Sequence, residues 1–205
     1  MKGFIIHLQK AKNEDSIVTL LTPSGVGRYY RFFGARHSIV QLGHLVDFEV
    51  NESRGGFMPQ LRKLSHFSFP WLYDNNRVLV WHNFLKLLAS HLYDTDETSS
   101  FYYQLLLESA KKWDKQNPKR VVCDSFVSLL EYEGRIHTQN HCYICEEPLL
   151  DTIALMRAFI PAHSYCIYGA TFNKEKFFDF LESKKSIYYS DEEIDLLYNI
   201  IMKGL

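Results

Sequence analysis

The sequence predicts an α+β chain: a small all-β barrel or sandwich, then a helical region that carries a metal-stapled hairpin. Three observations lead there. Residues 1–69 hold five short β-rich runs separated by turn residues, with no strong helical pattern. From Pro70 onward apolar residues recur at helical spacing. Late in the chain a C-x-x-C pair and an H-x-x-C pair stand seventeen residues apart, within the spacing of two-pair zinc sites.

The strands come in order. Residues 4–8 form the first run and residues 16–21 the second. Thr22, Pro23, Ser24 and Gly25 supply turn chemistry. Residues 28–33 form the third run, and residues 45–50 alternate with period two as the fourth. Gly55 and Gly56 mark a turn before the fifth, residues 57–64. Sequential short strands with turn punctuation favour a barrel or sandwich.

The helices follow. Asp74 or Asn75 can cap a helix to about residue 93, with Val78, Leu79, Phe84, Leu85 and Leu88 as its apolar positions. A second fits residues 97–113. The third is bounded by Asn117 as N-cap, Pro118 at its first position and Gly134 past its end. A short helix over 174–181 precedes a last one, which Ser190 and Glu193 open in a capping-box pattern. The domains read as 1–69, a β domain, and 70–205, a helical domain with an insertion at about 137–170.

Composition excludes several classes. Hydrophobic residues at 46% and charged residues at 23% exclude a disordered or collagen-like chain. The net charge of -1 excludes a uniformly basic protein but not a basic face. Residues 1–70 hold nine Lys/Arg against five Asp/Glu, and residues 123–205 hold seven against thirteen. One basic end is what a nucleic-acid binder shows. No apolar run is long enough to span a membrane or serve as a signal peptide, and four cysteines are no disulfide framework. The chain therefore reads as cytoplasmic, without a membrane partner.

The metal reading rests on Cys142, Cys145, His163 and Cys166. Ligands two residues apart on a tight turn both face one ion, and two such turns complete a tetrahedron. Four protein ligands make a structural Zn2+ site, with no open position for a reacting water. His141 and His137 are alternatives to His163. Zinc would staple a segment short of apolar residues. Cys123, beside Val121 and Val122, reads as a small buried hydrophobe.

Two stretches suit nucleic acid. Arg28, Tyr29, Tyr30, Arg31, Phe32 and Phe33 interleave cations with aromatics, followed by Arg36 and His37. A strand would put Arg28, Tyr30 and Phe32 on one face and Tyr29, Arg31 and Phe33 on the other. Cations track phosphate while aromatic faces stack on bases. Lys111, Lys112, Lys115, Lys119 and Arg120 form the densest basic run. The helix dipole favours the first three at a helix C-terminus, but not Lys119 and Arg120 at an N-terminus, so a second phosphate patch is expected there. Walker A, G-x-S-x-G and H-E-x-x-H motifs are all missing. The chain is expected not to be an enzyme, and no small-molecule substrate is expected.

These features together resemble the RecO family of bacterial DNA repair and recombination mediators. The opening residues 1–6, residues 15–22, and Gly27 and Arg28 followed by Gly34, Ala35, Arg36, His37 and Ser38 carry the resemblance. Residues 116–120, residues 130–135 and the compact length are similar to the shorter epsilonproteobacterial members. The resemblance implies an N-terminal OB-fold, a helical domain and a zinc-bearing hairpin. It implies binding of single- and double-stranded DNA, annealing of complementary strands, and, with RecR, loading of RecA onto strands covered by single-stranded DNA-binding protein (SSB). Arg28 and Arg36 fall where the family's barrel meets DNA. It also implies a nucleoid-associated location. The second metal pair departs from the family, being H-x-x-C where many members have C-x-x-C. The alternative reading is a non-catalytic scaffold that docks RecR or the SSB tail, with Trp71, Tyr73, Trp81 or Phe84 forming a peptide groove.

Overall fold

The structure is a computed structural model and describes residues 1–34, 37–52, 57–93, 95 and 98–205, with His37 described by its backbone alone. Arg36 therefore lies outside the described residues, as does the turn at Gly55 and Gly56. The chain divides into two compact units, Met1–Asp114 and Lys115–Leu205. Strands give way to helices at Pro70, but the units divide at 114/115, so the first two helices belong with the strands.

In the first unit five strands close into a barrel: β1 (Lys2–Lys10), β2 (Ser16–Thr22), β3 (Gly25–Arg31), β4 (Leu45–Asn51) and β5 (Gln60–Phe67). Their order is β1-β2-β3-β5-β4, and β4 returns to pair with β1. One parallel contact, Tyr30 with Gln60, joins β3 to β5, while the other pairings are antiparallel. This is the OB-fold, a barrel that shelters its strand edges by closure. Ile5, Val18, Leu20, Val46, Phe48, Leu61 and Leu64 fill it.

β3 begins three residues earlier than residue patterning suggested and ends at Arg31, leaving Phe32 and Phe33 beyond it. The two glycines hid its start. The Tyr29 ring folds over Gly27, where a Cβ would collide with it. β5 begins at Gln60 rather than at residue 57.

β1 breaks the alternation of a half-buried strand. Phe4, Ile5 and Ile6 are all buried, and the register with β2 shifts between Ile5 and His7. Ile5 enters the barrel core, while Phe4 meets the rings of Trp81 and Tyr103 at 5.9 and 5.8 Å. Those rings come from α1 (Asn75–His91) and α2 (Ser100–Lys112), capped by Asp74 and Ser99. Trp71, Trp81 and Trp113 are fully buried and pack on one another. Each indole N–H donates to a carbonyl, of Ala110, Gly43 and Arg77 respectively. Gly43 has φ +86°, and a Cβ there would stand 2.6 Å from the Trp81 ring. The expected peptide groove is corrected accordingly: Trp71, Trp81 and Phe84 are core, and Tyr73 alone of the four is exposed.

The second unit is built on α3 (Pro118–Tyr132), α4 (Lys174–Ser183) and α5 (Asp191–Ile201). Asn117 caps α3, Gly134 takes φ +66° past its end, and Ser190 and Glu193 form the full capping box. A small sheet that periodicity did not reveal lies between α3 and α4, with strands β6 (Thr152–Leu155), β7 (Pro161–Ala162) and β8 (Thr171–Asn173) in the order β7-β6-β8. Strands of two to four residues are too short to show a period. Its segment is not short of core residues. Phe159 contacts the rings of Phe126, Phe177 and Phe180, and Ile153, Ala154, Ala162 and Phe172 are buried.

Candidate metal centre and nucleic-acid face

Cys142, Cys145, His163 and Cys166 come together. Each offers one ligand atom, and these lie within 4.8 Å of one another. His163 Nδ1 stands 3.3 Å from Cys145 Sγ and 3.9 Å from Cys166 Sγ. A tetrahedral ion with ordinary Zn–S and Zn–N bonds places such pairs about 3.6 Å apart, so the cluster has the right size. Two turns supply the ligands, one at Cys142 and Cys145 and one at His163 and Cys166. The backbone N–H of Glu146 donates to the Cys142 carbonyl, and those of Cys166 and Ile167 donate to the His163 carbonyl.

The surroundings orient the donors. His163 Nε2 is 2.9 Å from the Pro148 carbonyl. With the proton on Nε2, the Nδ1 lone pair faces the cluster, the usual arrangement of a ligating imidazole. The Tyr165 ring stacks on the imidazole at 4.7 Å. Cys142 Sγ accepts N–H bonds from Ile144 and His163. Burial pushes its thiol up, but the backbone N–H groups outweigh that and bring it down to about 6. Burial and the neighbouring sulfurs push Cys166 up to about 11. Three sulfurs and an imidazole this close together could hold a metal ion, whose positive charge would offset the negative charge of the thiolates. Neither His141 nor His137 joins the cluster among the described residues. Cys123 is buried, and desolvation raises its thiol further from ionisation.

On the barrel, β3 splits its residues between two faces. Tyr29 turns inward against Phe48 at 5.7 Å. Arg28 and Phe32 are exposed, and the Tyr30 and Phe32 rings meet edge to face at 5.0 Å. Tyr30 is anchored through its hydroxyl, which donates to Asp15 Oδ2 at 2.6 Å. Asp15 Oδ1 accepts from the Phe33 N–H at 2.6 Å. One buried carboxylate thus fixes the Tyr30 ring and the Phe33 backbone, on either side of Phe32. That role had no sequence signature, since Asp15 precedes a strand like any turn residue. Arg31 is half-buried, and its Nη1 donates to the Leu61 carbonyl, bracing β3 against β5. Burial first, and Arg62 second, lower its pKa. His37 opens a short 3-10 turn, His37–Ile39.

The basic run is dispersed. In the first unit Lys111 pairs with Glu108 at 2.6 Å, and Lys112 is exposed. In the second Lys115 is exposed, while Lys119 and Arg120 face α5. Lys119 Nζ pairs with Asp195 at 2.9 Å and Arg120 Nη2 with Asp191 at 3.1 Å. Arg120 also donates to the carbonyls of Ser186 and Tyr189. Acids from α5 therefore explain two cations at an unfavourable helix N-terminus.

Residues 1–72 match the family model described as RecO N terminal. The chain carries a RecO N-terminal domain. The match covers all five barrel strands. No curated protein matches the chain. The family match supports a general role in DNA repair and recombination, among DNA and other repair proteins. Among the described residues no helix is long and apolar enough to cross a membrane.

Proposed function

We propose that this chain is a non-catalytic RecO-type mediator. It binds single- and double-stranded DNA, anneals complementary strands, and with RecR helps load RecA onto SSB-covered strands. The strip of Arg28, Tyr30 and Phe32 on the outside of an OB barrel carries this reading. Such a barrel binds strands by backbone cations and stacked rings without bond chemistry. Arg36 extends the strip in sequence, while Lys111, Lys112 and Lys115 supply further cations. Annealing needs two polyanions held together with their repulsion screened, which basic surfaces on one protein accomplish. The metal is Zn2+ in a structural role, since the donor set is three thiols and one imidazole. Burial of Trp71, Trp81 and Phe84 removes the feature that favoured a peptide-docking scaffold.

The test is anisotropy of a labelled single strand across a salt series. Binding should ignore sequence and fall steeply with salt. Arg28→Ala with Arg36→Ala should weaken it and flatten the slope by about 0.7 per lost phosphate contact. An unchanged slope would show that these arginines do not meet phosphate, and absence of binding at low salt would sink the mediator reading.

A further inference from the structure

In the first unit a cleft of about 590 Å3 opens between the barrel and the end of α1. Its volume lies in the range of small-molecule sites. Arg28 belongs both to this cleft and to the exposed strip of β3. Across the cleft stands Lys86, on α1. Both side chains are exposed, and neither has an ion-pair partner among the described residues. The rest of the lining is largely apolar, with Ile6 and Leu42 beside a few polar groups such as Gln9 and Thr19, and it includes Tyr93, 75% exposed. Ile6 reaches that lining because the β1 register shifts between Ile5 and His7, and such bulges re-aim side chains.

We propose that this cleft seats one nucleotide of a bound single strand. The base enters the largely apolar lining beside Tyr93, and the adjoining phosphate lies between Arg28 and Lys86. The inference rests on the single-strand reading of the barrel and deepens it. Two cations without an ion-pair partner among the described residues, over a largely apolar lining, match the two halves of a nucleotide, an anion and a flat ring. An acidic peptide with an apolar end shares part of that chemistry. The nucleotide is favoured because Arg28 joins the cleft to the exposed ring of Phe32 two pairs of residues along the same surface, as a continuous strand requires.

The test compares an intact oligothymidylate with an abasic strand of equal length, on the full chain. Ala89→Trp fills the cleft from a half-buried position on α1. It should weaken binding of the intact strand about tenfold, the effect of one stacked base, and leave binding of the abasic strand unchanged. Lys86→Ala should lower the salt slope by about 0.7. Ala89→Leu, a smaller filling, guards against misfolding of the larger variant and should give a smaller loss in the same direction. Equal weakening of both strands, or none, overturns the proposal while the mediator reading stands. No binding of either strand by the unaltered chain overturns both. An acidic peptide with an apolar end that binds the unaltered chain but not Ala89→Trp, with strand binding kept, assigns the cleft to peptide and overturns the proposal.

Discussion

Asp15 shows how one side chain decides what a surface presents. It is 8% exposed, and its two oxygens accept from the Tyr30 hydroxyl and the Phe33 N–H. The hydrogen bond to Asp15, then desolvation, raises the Tyr30 pKa. Asp15→Ala removes both acceptors. It should cost about 2 kcal/mol, the range for hydrogen bonds to a charged group, read as a shift in the urea midpoint. The Tyr30 hydroxyl should then titrate lower, toward ordinary tyrosine, followed by absorbance against a Tyr30→Phe control. An unmoved titration would show that Asp15 does not hold the ring. His163 is the converse case, for its role was legible. The spacing of the two pairs named all four residues that the fold brings together, because a metal site imposes its geometry locally, two residues at a time. Asp15 works through partners 15 and 18 residues away, and no local rule encodes that.

Elements were legible where their ends carry chemistry. Asp74, Asn117 and Ser190 each accept from backbone N–H groups of the helix they precede. Ser190→Ala should lose one half of a capping box and cost about 1 kcal/mol, measured by thermal unfolding. No loss would mean that packing of Ile194, Leu197 and Ile201, all buried, fixes α5 without its cap. Elements were illegible where period failed. β1 is covered on both faces, so its burial does not alternate, and β6, β7 and β8 are too short to show alternation at all. The expected phosphate patch at Lys119 and Arg120 rested on a sound dipole argument, but its balancing charges sit on α5, over 70 residues on. A local rule can flag an unfavourable charge without finding what compensates it.

The two compact units should respond differently to their surroundings. In the first, burial lowers the pKa values of His44 and His82, with the neighbouring His66 adding to the shift at His44. His44 and His66 stack at 5.4 Å, and His82 Nε2 is 3.0 Å from the Leu42 carbonyl. A histidine depressed in the folded state binds fewer protons there than in the unfolded chain. Its contribution is complete above the unfolded value of about 6.5 and is lost as pH falls through the folded one. The urea midpoint of the first unit should therefore fall between pH 7.5 and 5.5, and less so in His82→Gln. A midpoint flat across that range would show that these rings stay neutral without cost.

The second unit should depend instead on a metal bound at the proposed site. Its three sulfurs and one imidazole converge within 4.8 Å, and without a cation the thiols must take up protons to relieve their mutual repulsion. A strong chelator should therefore lower the thermal stability of Lys115–Leu205, by several kcal/mol if the site behaves as a structural one. Cys142→Ser should do the same and release bound zinc, counted by metal analysis of freshly purified protein. The dependence should be partial, because Phe126, Phe159, Phe177 and Phe180 give this unit an aromatic core of its own. The ligands should fray before that core melts, which hydrogen exchange at Cys145 and Cys166 would reveal. The barrel's strands and its strip of Arg28, Tyr30 and Phe32 lie wholly within the other unit, so strand binding should survive chelation. Metal content near zero with unaltered stability would remove zinc from the account. Loss of strand binding on chelation would instead place the metal-bearing unit in the DNA contact itself.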